Sequence, residues 1–367
     1  MCVLKLAGII FCALIFLAGC STAPPQSSLN WSDTNAVAKP VVIQANKPVV
    51  PLVRTNFPAP VRTNPPPIIA PTPVVTWNAL NDWAAAHKTG APHRLFKTPV
   101  TTYAISSANG VMVLGIGSLG ATWNGIEINL GFAPQMIDGE IFLNGLDLQK
   151  NLEPLLCEPP ISFPQTNRVI VIDPGHGGDN HGTRSILDGR FEKEFTLDTA
   201  LRLKPLLETN GWTVFLTRTN DSYVTNANRV VFAEAHHADL FISLHFNAPG
   251  NNDAQANGLE TYCLTPTGMP STLTRTFADP WNEKLPNNNF DAQNLRLAVK
   301  LHAAILHAIG MEDRGVRRSR FDTVLRGQNR PAILIEGGYL SNPAEAAKIE
   351  SADYRQKLAE ALAAALK

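Results

Sequence analysis

The C-terminal part of the chain, residues 168–367, is predicted to form an α/β fold, with a mainly parallel sheet and helices on both faces. Short apolar and β-branched runs, such as Val169–Ile172, are typical of strands buried on both faces. Segments with apolar residues three and four positions apart lie between these runs, as expected for helices. Strands that alternate with helices indicate a parallel sheet.

Each element of this fold has its own signal in the sequence. A helix is expected after Lys193, ending before Asn210–Gly211, and another over 295–309, ending at Gly310, because asparagine and glycine are typical of helix ends. A last helix is expected over 354–366. The remaining predicted strands are 214–216, 240–244 and 332–335.

Residues 76–153 are predicted to form a small α+β module. A short helix is expected near 77–84, and the apolar runs 111–114 and 126–130 are separated by turn signals typical of hairpins. These turn signals are Asn109-Gly110, Asn124-Gly125 and Asp138-Gly139. The stretch 124–143 is similar to modules named after the N-terminal domain of copper amine oxidases, but it shows no copper-binding cluster. A spacer or protein-binding module is the simpler interpretation.

The first 20 residues have the features of an export signal. Lys5 lies in an otherwise apolar stretch that ends in Leu17-Ala18-Gly19-Cys20. This ending resembles the lipobox of bacterial lipoproteins, which implies cleavage before Cys20, lipidation of Cys20 and a membrane anchor facing the periplasm. Ser21 favours the outer membrane if the host is Gram-negative. A transmembrane anchor or a non-lipidated signal are the alternatives.

Two further segments are predicted to connect the folded parts. Residues 21–75 contain twelve of the 28 prolines, which excludes regular helices and strands and favours an extended, disordered tether. Residues 154–167 are rich in proline and polar residues and are predicted to be a linker.

Composition limits the classes of partner. The 31 basic residues balance the 31 acidic ones, so a nucleic-acid partner, which usually requires a basic face, is not expected. Once Cys2 and Cys12 leave with the signal, Cys157 and Cys263 remain besides Cys20. They could pair in an oxidising compartment or stay free, and their spacing does not fit a cysteine zinc site.

Chemically active side chains follow three of the predicted strands. His176 follows the strand at 169–172, His245 follows 240–244, and Glu336 follows 332–335. Because the carboxyl ends of parallel strands meet at one edge of a sheet, these side chains are expected to converge. Glu192, at the start of the next helix, is in a position that can face the same edge.

Two histidines and one carboxylate, with a fourth position open, are typical of a hydrolytic zinc site. Zinc lowers the pKa of a bound water molecule to about 7 and polarises a substrate carbonyl. A second carboxylate is needed to carry the proton from the water to the leaving amine. Glu192 and Glu336 supply the two carboxylates, and a single Zn²⁺ ion per domain is expected.

Eight blocks in series resemble the amidase-3 type of N-acetylmuramoyl-L-alanine amidase. The blocks are Asp173–Gly178, Glu192–Lys193 with Leu197, Ser243–Ala248, Gly258–Tyr262, Arg314–Val316, Leu325–Arg326, Pro331–Ala332 and Glu336–Pro343. The resemblance implies a phosphorylase/hydrolase-like fold, His176, Glu192 and His245 as zinc ligands, and Glu336 as the catalytic acid/base. It also implies peptidoglycan as the substrate, cut at the amide between the lactyl group of N-acetylmuramic acid and L-alanine.

Several alternatives stay open at this point. Asn247 and Arg326 are predicted to contact substrate, although Arg326 could instead form a buried ion pair with Glu336, and Glu192 could simply stabilise a helix N-terminus. Residues 179–183 and 265–293 depart from the family pattern, and 265–293 is expected to be a substrate-rim loop rather than a helix. The rival functions are a zinc carboxypeptidase on cell-wall peptides and an inactive wall-binding or regulatory protein. Whether a protein activator exists is left open.

Overall fold

The computed structural model describes residues 76–97, 100–163, 166–249, 253–273, 279–320 and 323–367, all within one compact unit. The predicted signal 1–20 with Cys20, and the predicted tether 21–75, lie outside these described residues. None of the helices that the structure describes is long and apolar enough to cross a membrane.

The N-terminal part of the described chain is mostly antiparallel strand. Its elements are β1 (Trp77–Ala79), α1 (Leu80–His87), β2 (His93–Phe96), β3 (Thr102–Ser107), β4 (Gly110–Gly115), β5 (Gly120–Trp123), β6 (Ile126–Asn129), β7 (Gln135–Ile137), β8 (Glu140–Asn144), α2 (Gly145–Asp147) and a π-helix, Leu148–Cys157. The turns at Asn124-Gly125 and Asp138-Gly139 join adjacent strands, as predicted, and all four residues have positive φ. Asparagine, aspartate and glycine are the residues that best accept this conformation in a two-residue hairpin turn.

The C-terminal part alternates strands with helices. Its elements are β9 (Arg168–Pro174), α3 (Glu192–Thr209), β10 (Trp212–Leu216), α4 (Asn226–Ala235), β11 (Leu240–Asn247), β12 (Leu259–Leu264), a 3-10 helix (Pro286–Phe290), α5 (Asp291–Ile309), β13 (Asp313–Ser319), α6 (Thr323–Arg326), β14 (Ala332–Tyr339), α7 (Pro343–Glu350) and α8 (Ala352–Ala365). The three helices that were predicted for the C-terminal part correspond to α3, α5 and α8. The predicted rim loop 265–293 is described over 265–273 and 279–293. Turns and the 3-10 helix occupy it as far as residue 290, but α5 already begins at Asp291, so the prediction of a loop is wrong for the last three residues.

The strands form an 11-stranded sheet with the order β10-β9-β11-β14-β12-β13-β6-β5-β4-β3-β2, and β1, β8 and β7 form a second, small sheet. Neighbours from β10 to β14 pair in parallel, whereas β12 runs antiparallel to β14. The predicted α/β fold with a mainly parallel sheet is therefore confirmed. The strands extend further than predicted, so that His245 and Glu336 lie within β11 and β14 rather than just after them.

Side chains alternate between two apolar cores, one on each face of the parallel strands. Ile170 and Ile172 of β9 belong to the core that includes α3, α5 and α8, whereas Val171 packs with residues of α4 and α6. Strands covered by helices on both faces need apolar residues at every position, which explains the continuous apolar run in β9.

The two parts of the large sheet meet at a single strand pair. β13 pairs in parallel with β6, where Val316 lies opposite Ile128. Asp313 reinforces this contact, because one carboxylate oxygen accepts the Glu127 N–H at 2.9 Å and the other lies 2.9 Å from Nε2 of the buried His302. The predicted linker between the parts is helical as far as Cys157, and the division of the chain into separate domains stays a prediction. The thiols of Cys157, which is exposed, and Cys263, which is buried, are both free.

Candidate metal centre

Three potential metal ligands converge where the strand ends were predicted to meet. Nε2 of His176 lies 3.1 Å from Oε2 of Glu192, and Nδ1 of His245 lies 2.9 Å from Oε1 of the same carboxylate. The ligand atoms of the three residues all lie within 4.8 Å of one another. His176 comes from the loop after β9, Glu192 is the first residue of α3, and His245 belongs to β11.

The Glu192 carboxylate is buried and held in its charged form. Burial by itself would raise its pKa, but the hydrogen bonds and charges of His176 and His245 lower the pKa well below the usual value for glutamate. The backbone N–H groups of Thr183 and Phe246 also donate to it, at 2.9 Å and 3.0 Å. A buried carboxylate that stays ionised between two imidazoles is ready to accept a cation.

The His176 ring is oriented by its own loop. Nδ1 of His176 lies 2.8 Å from Oδ1 of Asn180, a carbonyl oxygen that can only accept, so Nδ1 donates to it and Nε2 is the ring atom that faces Glu192. This second interaction is the kind that commonly fixes the tautomer of a metal-binding histidine. The His176 backbone has φ of +64°, a left-handed conformation that is uncommon for residues other than glycine.

Two buried arginines hold the backbone of this strained loop. Arg229 donates to the carbonyl of His176 at 2.7 Å, and Arg218 donates to the carbonyl of Gly175 at 2.8 Å. Burial and the neighbouring Arg229 lower the pKa of Arg218 to about 10, so it stays cationic at neutral pH. The buried Asp173 pairs with Arg229 and accepts a hydrogen bond from Ser243 at 2.7 Å. Together these contacts fix the end of β9, from which His176 projects.

The cluster opens into a cavity of about 400 Å³. Glu336 also lines this cavity, and its backbone is paired with that of His245 in the β11–β14 register. Neighbouring strands lie about 5 Å apart, so the side chains of His245 and Glu336 are near each other. The side chains of the cavity that matter to the chemistry are His176, Glu192, His245, Asn247, Thr323 and Glu336.

Asn247, for which a substrate contact is predicted, lines this cavity, and its orientation is set by Glu260. Nδ2 of Asn247 donates to Glu260 at 2.8 Å, so its Oδ1 remains to accept a hydrogen bond. Glu260 is buried next to Glu336 in the β12–β14 register and is neutralised by Arg314 and Arg317, at 3.0 Å and 3.1 Å.

Arg326 lies at the end of α6, where its guanidinium is 3.6 Å from the carboxylate of Glu283. Among the described residues that line the cavity, Thr323 and Val324 of the same helix are present and Arg326 is not. The guanidinium of Arg326 thus pairs with Glu283, and its contact with substrate stays a prediction.

Sequence reasoning did not predict the roles of Arg218, Arg229 and Glu260. A buried arginine that donates to distant carbonyl groups leaves no local pattern in the sequence, because its partners are 25 or more positions away in most of these bonds. Glu260 could have been predicted as a site residue, since it lies in the block Gly258–Tyr262. That block by itself does not indicate which side chains Glu260 contacts.

The donor set fits a zinc ion. The site offers two imidazole nitrogens from partly buried histidines and one buried carboxylate oxygen, with one ring oriented by an outer amide, and such ligands are typical of hydrolytic zinc sites. With a further carboxylate in the same cavity, the fold and the site are those of a metal-dependent hydrolase of the α/β class.

Residues 170–367 match the family model Amidase_3, described as N-acetylmuramoyl-L-alanine amidase. The chain belongs to this family. The predicted resemblance is thereby confirmed for the C-terminal part of the chain.

Individual relatives agree with this assignment. The chain is 32% identical over 200 residues to N-acetylmuramoyl-L-alanine amidase LytC of Bacillus subtilis, a match that covers 54% of this chain and 35% of the relative. It is 30% identical over 244 residues to N-acetylmuramoyl-L-alanine amidase AmiC of Escherichia coli, covering 60% and 58%. The matches therefore span less than two thirds of the length of both relatives.

Among solved structures, the chain is similar to the catalytic domain of CwlV, an N-acetylmuramoyl-L-alanine amidase from Bacillus (Paenibacillus) polymyxa var. colistinus. The two are 32% identical, the match covers 54% of this chain and 95% of that one, and the TM-score is 0.44.

Proposed function

We propose that this protein is a zinc-dependent peptidoglycan amidase that cleaves the amide between the lactyl group of N-acetylmuramic acid and L-alanine of the stem peptide. The observation that carries the proposal is the cluster of His176, Glu192 and His245, with ligand atoms within 4.8 Å, in one cavity with Glu336. Membership of the amidase-3 family supports the choice of bond and substrate.

In this proposal His176, Glu192 and His245 hold the zinc ion. When bound, zinc supplies a Lewis acid that polarises the substrate carbonyl and makes a water molecule more acidic. Glu336 accepts the proton from the attacking water and passes it to the nitrogen of L-alanine, so that the amine leaves in neutral form. Asn247, whose Nδ2 is already bound to Glu260, offers Oδ1 to an N–H group of the substrate.

Glu336 is well placed for this proton transfer. Its strand β14 is paired with β11, which carries His245, so the base and one of the metal ligands lie on neighbouring strands of the sheet. The residue is buried and lines the cavity. Sites on sheet strands hold their geometry better than sites on loops, and proton transfer depends on that geometry.

We also propose that the protein is exported and anchored through lipidated Cys20, facing the periplasm, with the outer membrane favoured in a Gram-negative host. The pattern Leu17-Ala18-Gly19-Cys20 after an apolar stretch supports this. The proline-rich residues 21–75 would then act as the tether, and residues 76–153, whose stretch 124–143 resembles copper amine oxidase N-terminal modules, as an accessory module.

A digest of purified peptidoglycan, followed by mass spectrometry of the products, tests the proposed reaction. We expect release of intact stem peptides with a free L-alanine amine, leaving glycan chains with free lactyl groups, and loss of this release when a chelator is present. Stems shortened from their C-terminal end would instead indicate a carboxypeptidase. Binding of peptidoglycan without any product would indicate an inactive wall-binding protein.

The variant Glu336→Gln tests the role of Glu336 in the same digest, because glutamine has nearly the same shape but cannot accept the proton. We expect kcat to fall about 10³-fold, the typical contribution of a general acid/base, with zinc content unchanged. Glu127→Gln is a matched control, since Glu127 is an exposed residue of β6. Equal turnover of Glu336→Gln and the parent protein would defeat the assigned role.

A further inference from the structure

A second pocket adjoins the metal cavity. It has a volume of about 530 Å³ and is lined by residues 183–189, Ala248 and Ser341; we call it the loop pocket. Thr183 and Ala248 line both the metal cavity and the loop pocket, so the two cavities lie next to each other. A substrate longer than the bond being cut can therefore extend from one into the other.

The wall of the loop pocket is held in place by backbone hydrogen bonds. The loop is closed by an antiparallel bridge between Arg184 and Phe191 and by the Ser185 N–H, which donates to the carbonyl of Arg190 at 2.8 Å. The Ile186 N–H donates at 3.0 Å to the carbonyl of Leu340, just after β14. The loop is thus attached to the same strand that carries Glu336, and its position relative to the metal cluster is defined.

One positive charge in this wall, that of Arg184, has no carboxylate partner among the described residues. The carboxylate of Asp188 is paired with Arg190 at 2.5 Å. Arg184, by contrast, donates through Nε to the carbonyl of Gly189 at 3.0 Å and forms no ion pair with any carboxylate in the described part of the chain. Its terminal N–H groups are available to pair with a carboxylate from outside, the group that a guanidinium binds best.

A second polar group in the loop pocket also has no partner in the part of the chain that the structure describes. Ser341 is 7% exposed, and its hydroxyl makes no hydrogen bond with the described residues. Buried hydroxyl groups are normally hydrogen-bonded, because leaving one unpaired costs free energy. Ile186 and Leu187 border the same pocket with about half of their surface exposed, 54% and 50%. The loop pocket thus combines a cation, an unpaired hydroxyl and an apolar border.

We infer that the loop pocket binds an acidic residue of the stem peptide, on the L-alanine side of the scissile amide, with Arg184 pairing its carboxylate and Ser341 hydrogen-bonding to its backbone. The inference rests on the proposed amidase function. Neutral N-acetylated sugars offer a guanidinium no opposite charge, whereas a peptide carboxylate does. The apolar Ile186 and Leu187 would contact the aliphatic part of the same residue.

Two synthetic muramyl peptides test this inference. They are identical except that the residue after L-alanine carries a free carboxylate in one and a carboxamide in the other. We expect the zinc-loaded parent protein to cleave the carboxylate form with a kcat/KM about tenfold higher, the size of effect produced by one charge-assisted pair near the surface. Arg184→Gln should reduce this ratio to about one, mainly by lowering kcat/KM for the carboxylate form.

Two further variants separate charge recognition from general damage to the fold. Arg184→Lys keeps the charge without the planar fork, so it should restore part of the preference. Arg202→Gln is the matched control, because Arg202 lies on α3 and pairs with Asp198 at 2.7 Å. It should keep the parent ratio.

The outcomes are distinguishable. Cleavage of both peptides by the parent at equal rates, or a parent-like preference in Arg184→Gln, would overturn the loop-pocket inference and leave the amidase function standing. Failure of the zinc-loaded parent to release the peptide from either compound would overturn the amidase function, and the inference with it.

Discussion

Two buried carboxylates, Glu192 in the metal centre and Asp147 in the N-terminal part, have similar hydrogen bonding but opposite charge behaviour. Asp147 accepts hydrogen bonds from the backbone N–H groups of Gly131 and Phe132, at 2.8 Å and 2.9 Å, and from the Asn151 amide at 2.8 Å. Burial nevertheless raises the pKa of Asp147 to about 6. The pKa of Glu192 is lowered instead.

The difference lies in the partners. Glu192 lies between two imidazole rings that can carry positive charge, whereas the nearest donors to Asp147 are neutral amides. Neutral donors only partly offset the loss of hydration, while a nearby positive charge can exceed it. A carboxylate such as that of Glu192 is suited to hold a cation, whereas one such as that of Asp147 is suited to accept the hydrogen bonds that close a turn. Replacing Glu192 should therefore affect chemistry, and replacing Asp147 should affect stability.

The largest expected effect is on metal binding by Glu192→Gln. We expect zinc affinity to fall by more than about 100-fold, because losing even an outer partner of a metal ligand commonly costs 10- to 100-fold, and activity to fall with it. Glu194→Gln is the matched control, since Glu194 is on the same turn of α3 and its carboxylate accepts the Phe191 N–H at 3.0 Å. Zinc titration of both variants measures the effect, and equal affinities would remove Glu192 from the ligand set.

The next effect is on stability. Asp147→Ala leaves three buried donors without an acceptor, and we expect the free energy of unfolding to fall by about 3 kcal/mol. Urea denaturation measures this loss. Asp82→Ala, at an exposed position of α1, should stay within about 0.5 kcal/mol of the parent. At temperatures where Asp147→Ala is folded, its kcat/KM should match that of the parent. A large loss of activity at those temperatures would contradict the assignment of Asp147 to stability and of Glu192 to chemistry.

A smaller effect concerns pH. A raised folded-state pKa means that Asp147 binds its proton more tightly in the folded protein than in the unfolded one. Its stabilising contribution is thus fully present below its ordinary value of 3.8 and is lost as pH rises through about 6. Between pH 4 and pH 7 the parent should lose about 2 kcal/mol relative to Asp147→Asn, which cannot titrate at this position. Parallel stability curves for the two proteins would show that Asp147 is not perturbed.

The metal centre was largely predictable from the sequence. His176, His245 and Glu336 follow apolar runs that are recognisable as buried strands, and the carboxyl ends of parallel strands must meet at one edge. Glu192 required the family resemblance, because a glutamate at the start of a helix has an ordinary explanation in the helix dipole. The structure places its carboxylate between both histidines.

The continuity of the large sheet was not predictable. The pairing of Ile128 with Val316 joins residues 188 positions apart, and neither strand has a local signal that identifies its neighbour. The same holds for Asp147, whose motif Gly145-Leu146-Asp147 shows nothing of the buried turn that it closes. Periodicity identifies which segments become strands and helices, while long-range pairing and burial depend on the whole packed chain.

The most direct test of the central claim is a zinc titration of metal-free protein with release of intact stem peptide as the readout. We predict that the metal-free protein is inactive, that activity rises in proportion to added zinc, and that it reaches a plateau at one zinc ion per chain. His245→Ala should show no such plateau. Full activity without zinc, or zinc binding that never leads to release of an intact stem peptide, would contradict the account.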